Sequence, residues 1–444
     1  MKSLLLEIGT EEIPAGYIEP ALQSLSSTLL QKMTDIRVEY GRTRVFGTPR
    51  RLAVEVQDVA DKQKSLTSEV LGPPEKVGFD INGKPTTAAI KFAEKVGVSV
   101  NALKVKETEK GHYVCARVSE RGLATRTLLK TILPEVILST PFPKTMKWAE
   151  LNIFFARPIH YIVALLGNQI ISFELGNTKS GRYSFGHYFM QPGKVRITSP
   201  EDYVQTLKDA HVVIDFEERR KRVENEINKA AKDVGGRILP DEELIDINKN
   251  LVEYPIATAG KFDNAFLEIP AEILITAMRH HQKYFAVVDD SGNLMSSFIA
   301  VNNTRTKDMN LVATGHERVL RARLSDAQFF FKSDVQEPMD DWVERLKGVL
   351  FQAKLGSMYE KVQRVQKIAA YLADVSGQKP AVKNQVMRAA WLCKADLVSQ
   401  VVNEFPNLQG VMGRIYALLK KEPQAVADAI EEHYRPTYSG GPLP

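Results

Sequence analysis

A chain of 444 residues is too long for one ordinary hydrophobic core, and 44% hydrophobic with 25% charged residues is the make-up of a folded multi-domain protein, which excludes a largely disordered one. The net charge of +5 is a mild basic bias that permits an anionic partner without requiring one. Cys115 and Cys393 stand far apart, which excludes a disulfide framework and a four-thiolate zinc site, and no apolar run reaches the roughly 18 residues of a membrane span, so a cytoplasmic protein with no membrane partner is expected.

Residues 4–8 read as a short buried strand, followed by the turn Gly9-Thr-Glu-Glu-Ile-Pro14 and an amphipathic helix over 17–33. Strands are predicted at 37–46 and 51–59, the second alternating Leu52, Val54 and Val56 with Ala53, Glu55 and Gln57. A Gly/Pro-marked stretch over 72–85 precedes a helix at 88–96, a strand at 113–118 and a helix at 124–133; Pro134, Pro141, Pro143 and Pro158 then punctuate a connecting region. Strands follow at 159–166 and 170–175, and aromatics alternating with Gly over 181–189 suggest a bent strand or hairpin.

A long charged helix at 217–234 is stopped by Gly235-Gly236, and a second helix at 270–279 has Pro near its first turn. Segments 283–289 and 295–301 give a hairpin signal across Asp290-Ser-Gly-Asn293. Within 315–331, Leu320, Leu324, Ala327 and Phe331 recur as an apolar helical stripe, while Glu317 and Arg321 sit four apart as a possible surface pair. Beyond about Pro338 strand patterns disappear and the chain reads as helical to 432. The expected fold class is therefore α+β, with mixed α+β domains at 1–150 and 151–337 and a helical domain at 338–444.

The common catalytic signatures are missing: no Gly-x-x-x-x-Gly-Lys-Ser/Thr loop, no Gly-x-Gly-x-x-Gly, no Gly-x-Ser-x-Gly and no His-Glu-x-x-His. His280 and His281 are adjacent, so they point about 100° apart on a helix and do not chelate one metal as an i, i+4 pair does. The acidic runs Asp241-Glu242-Glu243 and Asp340-Asp341 fit helix starts or loops better than acid–base chemistry. No catalytic residue and no metal ligand is assigned.

Basic and aromatic clusters are more informative. Arg42, Arg44, Arg50 and Arg51 occupy a strand–turn–strand stretch whose turn is held by Gly47 and Pro49; they suit phosphate contacts, or surface charge with a pair buried against Glu7, Glu11 or Glu12. Arg279-His-His-Gln-Lys-Tyr-Phe285 suits phosphate contact through Lys283 and base stacking, although Tyr284 and Phe285 equally begin a buried strand. Trp148 reads as a packing anchor more than a stacking platform. Arg318, Arg321 and Arg323 lie on the predicted helix at 315–331, either as an RNA-facing surface or as the solvated side of a core helix.

Taken together, several motifs resemble the β subunit of bacterial-type heterotetrameric glycyl-tRNA synthetase. They are Leu5-Leu-Glu-Ile-Gly-Thr-Glu-Glu-Ile-Pro14, Gly47-Thr-Pro-Arg-Arg-Leu52, Pro143-Lys-Thr-Met-Lys-Trp148 with Phe155-Ala-Arg-Pro-Ile159, His281-Gln-Lys-Tyr-Phe285, Lys394-Ala-Asp-Leu397, Glu404-Phe-Pro-Asn-Leu-Gln-Gly-Val-Met-Gly413 and Glu432-His-Tyr434. The resemblance implies a noncatalytic chain that binds tRNA(Gly) and supports assembly with a separate α subunit, where ATP and Mg would bind and glycine would be activated. No cofactor is implied on this chain. The tRNA-facing candidates are Arg42, Arg44, Arg50, Arg51, Lys283, Arg318, Arg321 and Arg323.

The part after about Pro338 resembles the family's HD-type helical domain. A metal-dependent HD phosphohydrolase, the alternative reading, needs several histidines, whereas Lys394-Ala-Asp396 stands at the expected doublet and only His433 remains in that region. The family continues past Glu432-His-Tyr434 into a C-terminal anticodon-binding domain, so a shortened chain with exposed apolar surface near 380–430 is expected.

Overall fold

The computed structural model describes residues 1–444 apart from the Glu120 side chain. The chain divides into two compact units, Met1–Glu218 and Arg219–Pro444, and its architecture is α+β. The expected divisions at 150 and 337 therefore fall inside these units. Strand Ile159–Leu166 pairs antiparallel with Lys2–Thr10, and one continuous core runs from Phe262 through Leu324 and Trp342 to Ile430.

In the first unit the main sheet runs in the order Glu174–Leu175, Thr178–Gly181, Ile159–Leu166, Lys2–Thr10, Arg51–Val59, Thr43–Thr48. Lys2–Thr10 is central and buried from Leu4 onward. Its alternation decides the rest: Leu4, Leu6 and Ile8 face helices Ala15–Asp35 and Thr125–Leu138, while Leu5 faces the opposite layer with Phe46, Tyr203 and Leu207. Glu7 and Gly9 share the face of Leu5 by the same period of two. A three-stranded sheet, in the order Leu66–Pro74, Gly111–Glu120, Lys104–Thr108, carries helix Thr87–Val96.

Several predicted boundaries move for physical reasons. The strand expected from 37 starts only at Thr43, because Arg37 takes a left-handed conformation, φ 57°, after the first helix. Residues 170–175 split into the short strands Gln169–Ile170 and Glu174–Leu175. The Gly/Pro stretch at 72–85 begins inside the end of strand Leu66–Pro74, where proline is tolerated because the strand is an edge. Pro134 does not end its helix, which runs to Leu138; burial of Leu129, Ile132, Leu133, Val136 and Ile137 outweighs the about 3 kcal/mol cost of an interior proline.

In the second unit an antiparallel sheet runs in the order Arg237–Ile238, Phe285–Val288, Leu294–Asn302, Ile256–Lys261. Phe285 and Val287 pack on one face with Val223 and Ile227 of helix Phe216–Asp233, and Tyr284 and Ala286 on the other with the helical core. Helix Met309–Gln336 is longer than predicted, 28 residues, and is started by Asp308, whose carboxylate accepts from the Asn310 and Leu311 N–H groups. A small hairpin, Leu350–Gln352 with Gly356–Ser357, interrupts the region expected to be purely helical. The exposed apolar side chains cluster earlier than expected, at Ile368, Tyr371, Leu372 and Val375 of helix Met358–Val375, while much of 389–430 is core.

Candidate nucleic-acid interface

The stretch holding Arg42 to Arg51 is a hairpin in which Thr48 opposes Arg51 and Gly47 opposes Leu52. A Cβ on Gly47 would lie 2.8 Å from Leu22 and 2.9 Å from Ile18, so glycine is what lets the first helix press onto this strand. The turn is tied down by Thr10 N–H donating to the Arg50 carbonyl at 2.8 Å and Ile13 N–H donating to the Pro49 carbonyl at 2.6 Å.

The four arginines meet different fates. Arg42 is exposed. Arg44 turns back to Glu55 at 3.8 Å and Asp215 at 3.7 Å, with its guanidinium 4.7 Å over the Phe46 ring. Arg50 is half-buried and lies 5.2 Å over the ring of Tyr188. Arg51 is only 1% exposed, which corrects its assignment as a surface phosphate contact. It sits 3.9 Å from the fully buried Glu7 and donates from Nη1 to the Phe185 carbonyl at 3.3 Å.

Glu7 organises this floor. Its Oε1 accepts from the Ser184 hydroxyl at 2.7 Å and the Tyr161 hydroxyl at 2.8 Å. Tyr161 reaches it by lying across Gly9, where a Cβ would fall 2.0 Å from the ring. Glu7 Oε2 has no hydrogen-bond partner among the described residues. Burial raises the Glu7 carboxyl above its ordinary range, against the opposing charge of Arg51 and the neighbouring Ser184, Tyr161 and Tyr203 hydroxyls.

Above the floor opens a cavity of about 390 Å³, lined by Arg50, Arg51, His160, Tyr161, Phe185 and Tyr188 among others. His160 Nε2 is 2.8 Å from Glu11 Oε1 at the rim. Reasoning from the sequence named Glu7 only as one of three carboxylates against which an arginine pair could be buried, which is where Arg51 lies, and missed His160, Tyr161 and Tyr188. The signal for Tyr188 was the aromatic run in Gly181-Arg-Tyr-Ser-Phe-Gly-His-Tyr-Phe189; the others need the strand order, which no local pattern carries.

The remaining candidates lie in the second unit. Lys283 follows a π-helical turn, Met278–Gln282, with φ 59°, and its Nζ donates to the His280 carbonyl at 3.0 Å. Tyr284 is buried and its hydroxyl meets His316 Nδ1 at 2.7 Å, so this end of the cluster belongs to the core. Arg318, Arg321 and Arg323 are exposed on helix Met309–Gln336 and make no ion pair among the described residues. Glu317 does not pair with Arg321: its Oε1 accepts from the Lys261 N–H at 2.8 Å. Asp241 caps helix Glu242–Lys249 and also binds Arg279.

At the expected HD doublet, Asp396 is fully buried and its Oδ2 accepts from the Gly410 and Gly413 N–H groups at 2.6 and 3.1 Å. Lys394 Nζ stands 3.6 Å over the Tyr434 ring. Trp148 packs against the helical face of the first unit.

Comparison with known proteins places the chain among components of aminoacyl-tRNA synthetases. It belongs to the glycyl-tRNA synthetase beta subunit family, whose model matches residues 4–444. It is 53% identical to the glycine–tRNA ligase beta subunit of Desulfatibacillum aliphaticivorans, over 100% of this chain and 64% of that protein. The corresponding subunit of Desulforapulum autotrophicum is 51% identical over the same shares, and that of Syntrophus aciditrophicus 47% over 99% of this chain and 64% of its own length. The chain thus spans 64% of the length of these relatives.

Proposed function

We propose that this chain is the noncatalytic, tRNA-binding and assembly subunit of a glycine–tRNA ligase. A separate α subunit binds ATP and Mg, activates glycine and attaches it to tRNA(Gly); the present chain holds the tRNA and supports the assembly. The observation that carries this reading, beside family membership, is a set of cations with no acidic partner. Arg42, Arg50, Arg318, Arg321 and Arg323 form no ion pair among the described residues, so their charge is available to a polyanion. Lys283 and Arg44 are engaged locally and contribute less.

The competing reading, an HD-type metal phosphohydrolase, has little support, because such a site needs several imidazoles and after Pro338 the sequence holds only His433, whose Nδ1 lies 2.7 Å from the Ile430 carbonyl. The test is to titrate tRNA(Gly) into the chain mixed with its α subunit over a range of salt. Affinity should fall linearly on a log–log plot, with a slope of about −0.7 to −0.9 for each phosphate contacted. If the chain adds nothing to the tRNA affinity of α and binds none alone, the reading fails.

A further inference from the structure

We infer that the cavity above Arg51 and Tyr161 is a site for one unstacked nucleotide of an RNA, with the base on Tyr188 and the phosphate on Arg50. This rests on the tRNA-binding reading and specifies what part of an RNA the first unit takes.

The loop over 186–193 is built to hold its shape. His187 is fully buried, and its Nδ1 accepts from both the Phe189 and Met190 N–H groups at 3.2 Å. That geometry fixes the tautomer with Nδ1 bare. The His187 N–H donates to the Ala210 carbonyl at 2.9 Å, the Gln191 N–H to the His187 carbonyl at 3.0 Å, and the Gly186 N–H to the Gly193 carbonyl at 3.1 Å. Gly186 has no room for a Cβ, which would lie 2.3 Å from the Gln191 carbonyl oxygen, and Gly193 takes φ 130°.

On this fixed loop Tyr188 is 62% and Phe189 71% exposed, packed edge to face at 4.9 Å. Two large rings held in water by a pinned backbone are not explained by core packing, and a ring beside a guanidinium is a stacking platform for a base. The charges point the same way. Arg50 makes no ion pair among the described residues, Glu7 lies beneath Arg51, and Glu11, the one carboxylate among the described lining residues, is hydrogen-bonded to His160.

Size decides between RNA forms. A cavity of about 390 Å³ is at the lower end of ligand pockets and takes one nucleotide, not a duplex, whereas an unpaired base can be splayed into it.

The experiment titrates the chain, without α, with a single-stranded trinucleotide RNA, with adenosine monophosphate and with inorganic phosphate. Tyr188→Ala, Tyr188→Phe and Arg50→Gln are compared with the unaltered chain, all at solvent-accessible positions. The trinucleotide should bind more tightly than phosphate, Tyr188→Ala should weaken it about tenfold to a hundredfold, and Tyr188→Phe should restore it.

Equal binding by all variants overturns the assignment, as does phosphate binding as tightly as the trinucleotide. Adenosine monophosphate binding with no trinucleotide or tRNA binding makes the cavity a free-nucleotide site and overturns the RNA part. tRNA(Gly) binding without any trinucleotide binding removes the pocket and leaves the tRNA reading standing. A Tyr188→Ala chain that loses α while binding trinucleotide normally assigns the loop to protein contact and overturns the inference.

Discussion

The hairpin that carries Arg42 to Arg51 and helix Met309–Gln336 look alike in sequence, each a short run dense in arginine with aromatics close by, yet they use the charge in opposite ways. In the hairpin the adjacent arginines part company because Arg50 sits in the turn and stays at the rim, whereas Arg51 begins the strand and goes into the sheet beside Glu7. In the helix, Leu320, Leu324, Ala327 and Asp334 complete the buried stripe, and Arg318, Arg321 and Arg323 all remain in water. Arginine density therefore says little about available charge. The place of each residue in its element says which guanidinium a polyanion can reach.

The largest effect expected from this contrast is at Arg51. Replacing it with Ala leaves Glu7 buried without its countercharge, a loss of about 3–5 kcal/mol for a broken buried pair. Urea unfolding and amide exchange in strand Lys2–Thr10 both read this. Because burial already raises the Glu7 carboxyl, that group protonates readily once Arg51 is gone, so the defect should be smaller at pH 5 than at pH 8. Arg318→Ala should stay within about 0.5 kcal/mol of the unaltered chain. Equal losses at the two positions would erase the distinction between the regions.

What could be read from the sequence follows the same division. The helix stripe is a local pattern: Leu320, Leu324 and Ala327 are buried as predicted, while its fourth expected member, Phe331, is half-buried against the same core. Strand Arg51–Val59 was legible because Leu52, Val54 and Val56 alternate with Ala53, Glu55 and Gln57, and its bounds match. The floor of the cavity was not. A pair with Glu7, Glu11 or Glu12 was foreseen, but not which arginine takes which carboxylate: the strands of Glu7, Arg51 and Tyr161 meet only through sheet order, Ser184 comes from a separate two-stranded sheet, and the requirement for Gly9 appears only once Tyr161 lies across it. Pro134 misled because a breaker signal is local, whereas the packing that overrode it comes from another helix.

A middle-sized effect belongs to the second unit alone and is read by pH. In the second unit burial lifts the Asp396 carboxyl from an ordinary 3.8 to about 6, despite the Gly410 and Gly413 N–H bonds that lower it. Between about pH 4 and 6 the folded chain keeps a proton that the unfolded chain has released, so this group makes stability fall as pH rises. Burial, with Lys394 nearby, pushes His433 from 6.5 to about 4, and the sign reverses: its contribution is full above pH 6.5 and is lost as pH falls toward 4. The two slopes oppose one another in the unaltered chain. Asp396→Asn should expose the rising slope of His433, and His433→Gln the falling slope of Asp396, in urea midpoints measured from pH 4 to 7. Identical pH profiles for both variants would mean that neither group titrates as its burial demands.

The smallest effect on folding is also the one most informative about RNA. Changing Arg318, Arg321 and Arg323 together to Gln removes three exposed charges that pair with no carboxylate among the described residues, so the urea midpoint should hardly move. On the helix Arg318 lies opposite the buried stripe, with Arg321 and Arg323 to either side of it, so a single flat surface does not engage all three equally. The magnitude of the salt slope of tRNA(Gly) binding should therefore drop by about 1 to 2 instead of the nearly 3 that three full phosphate contacts would give. An unchanged slope with weakened binding to the α subunit would give this helix to subunit contact and leave the rim of the first unit, at Arg42 and Arg50, as the tRNA-facing surface.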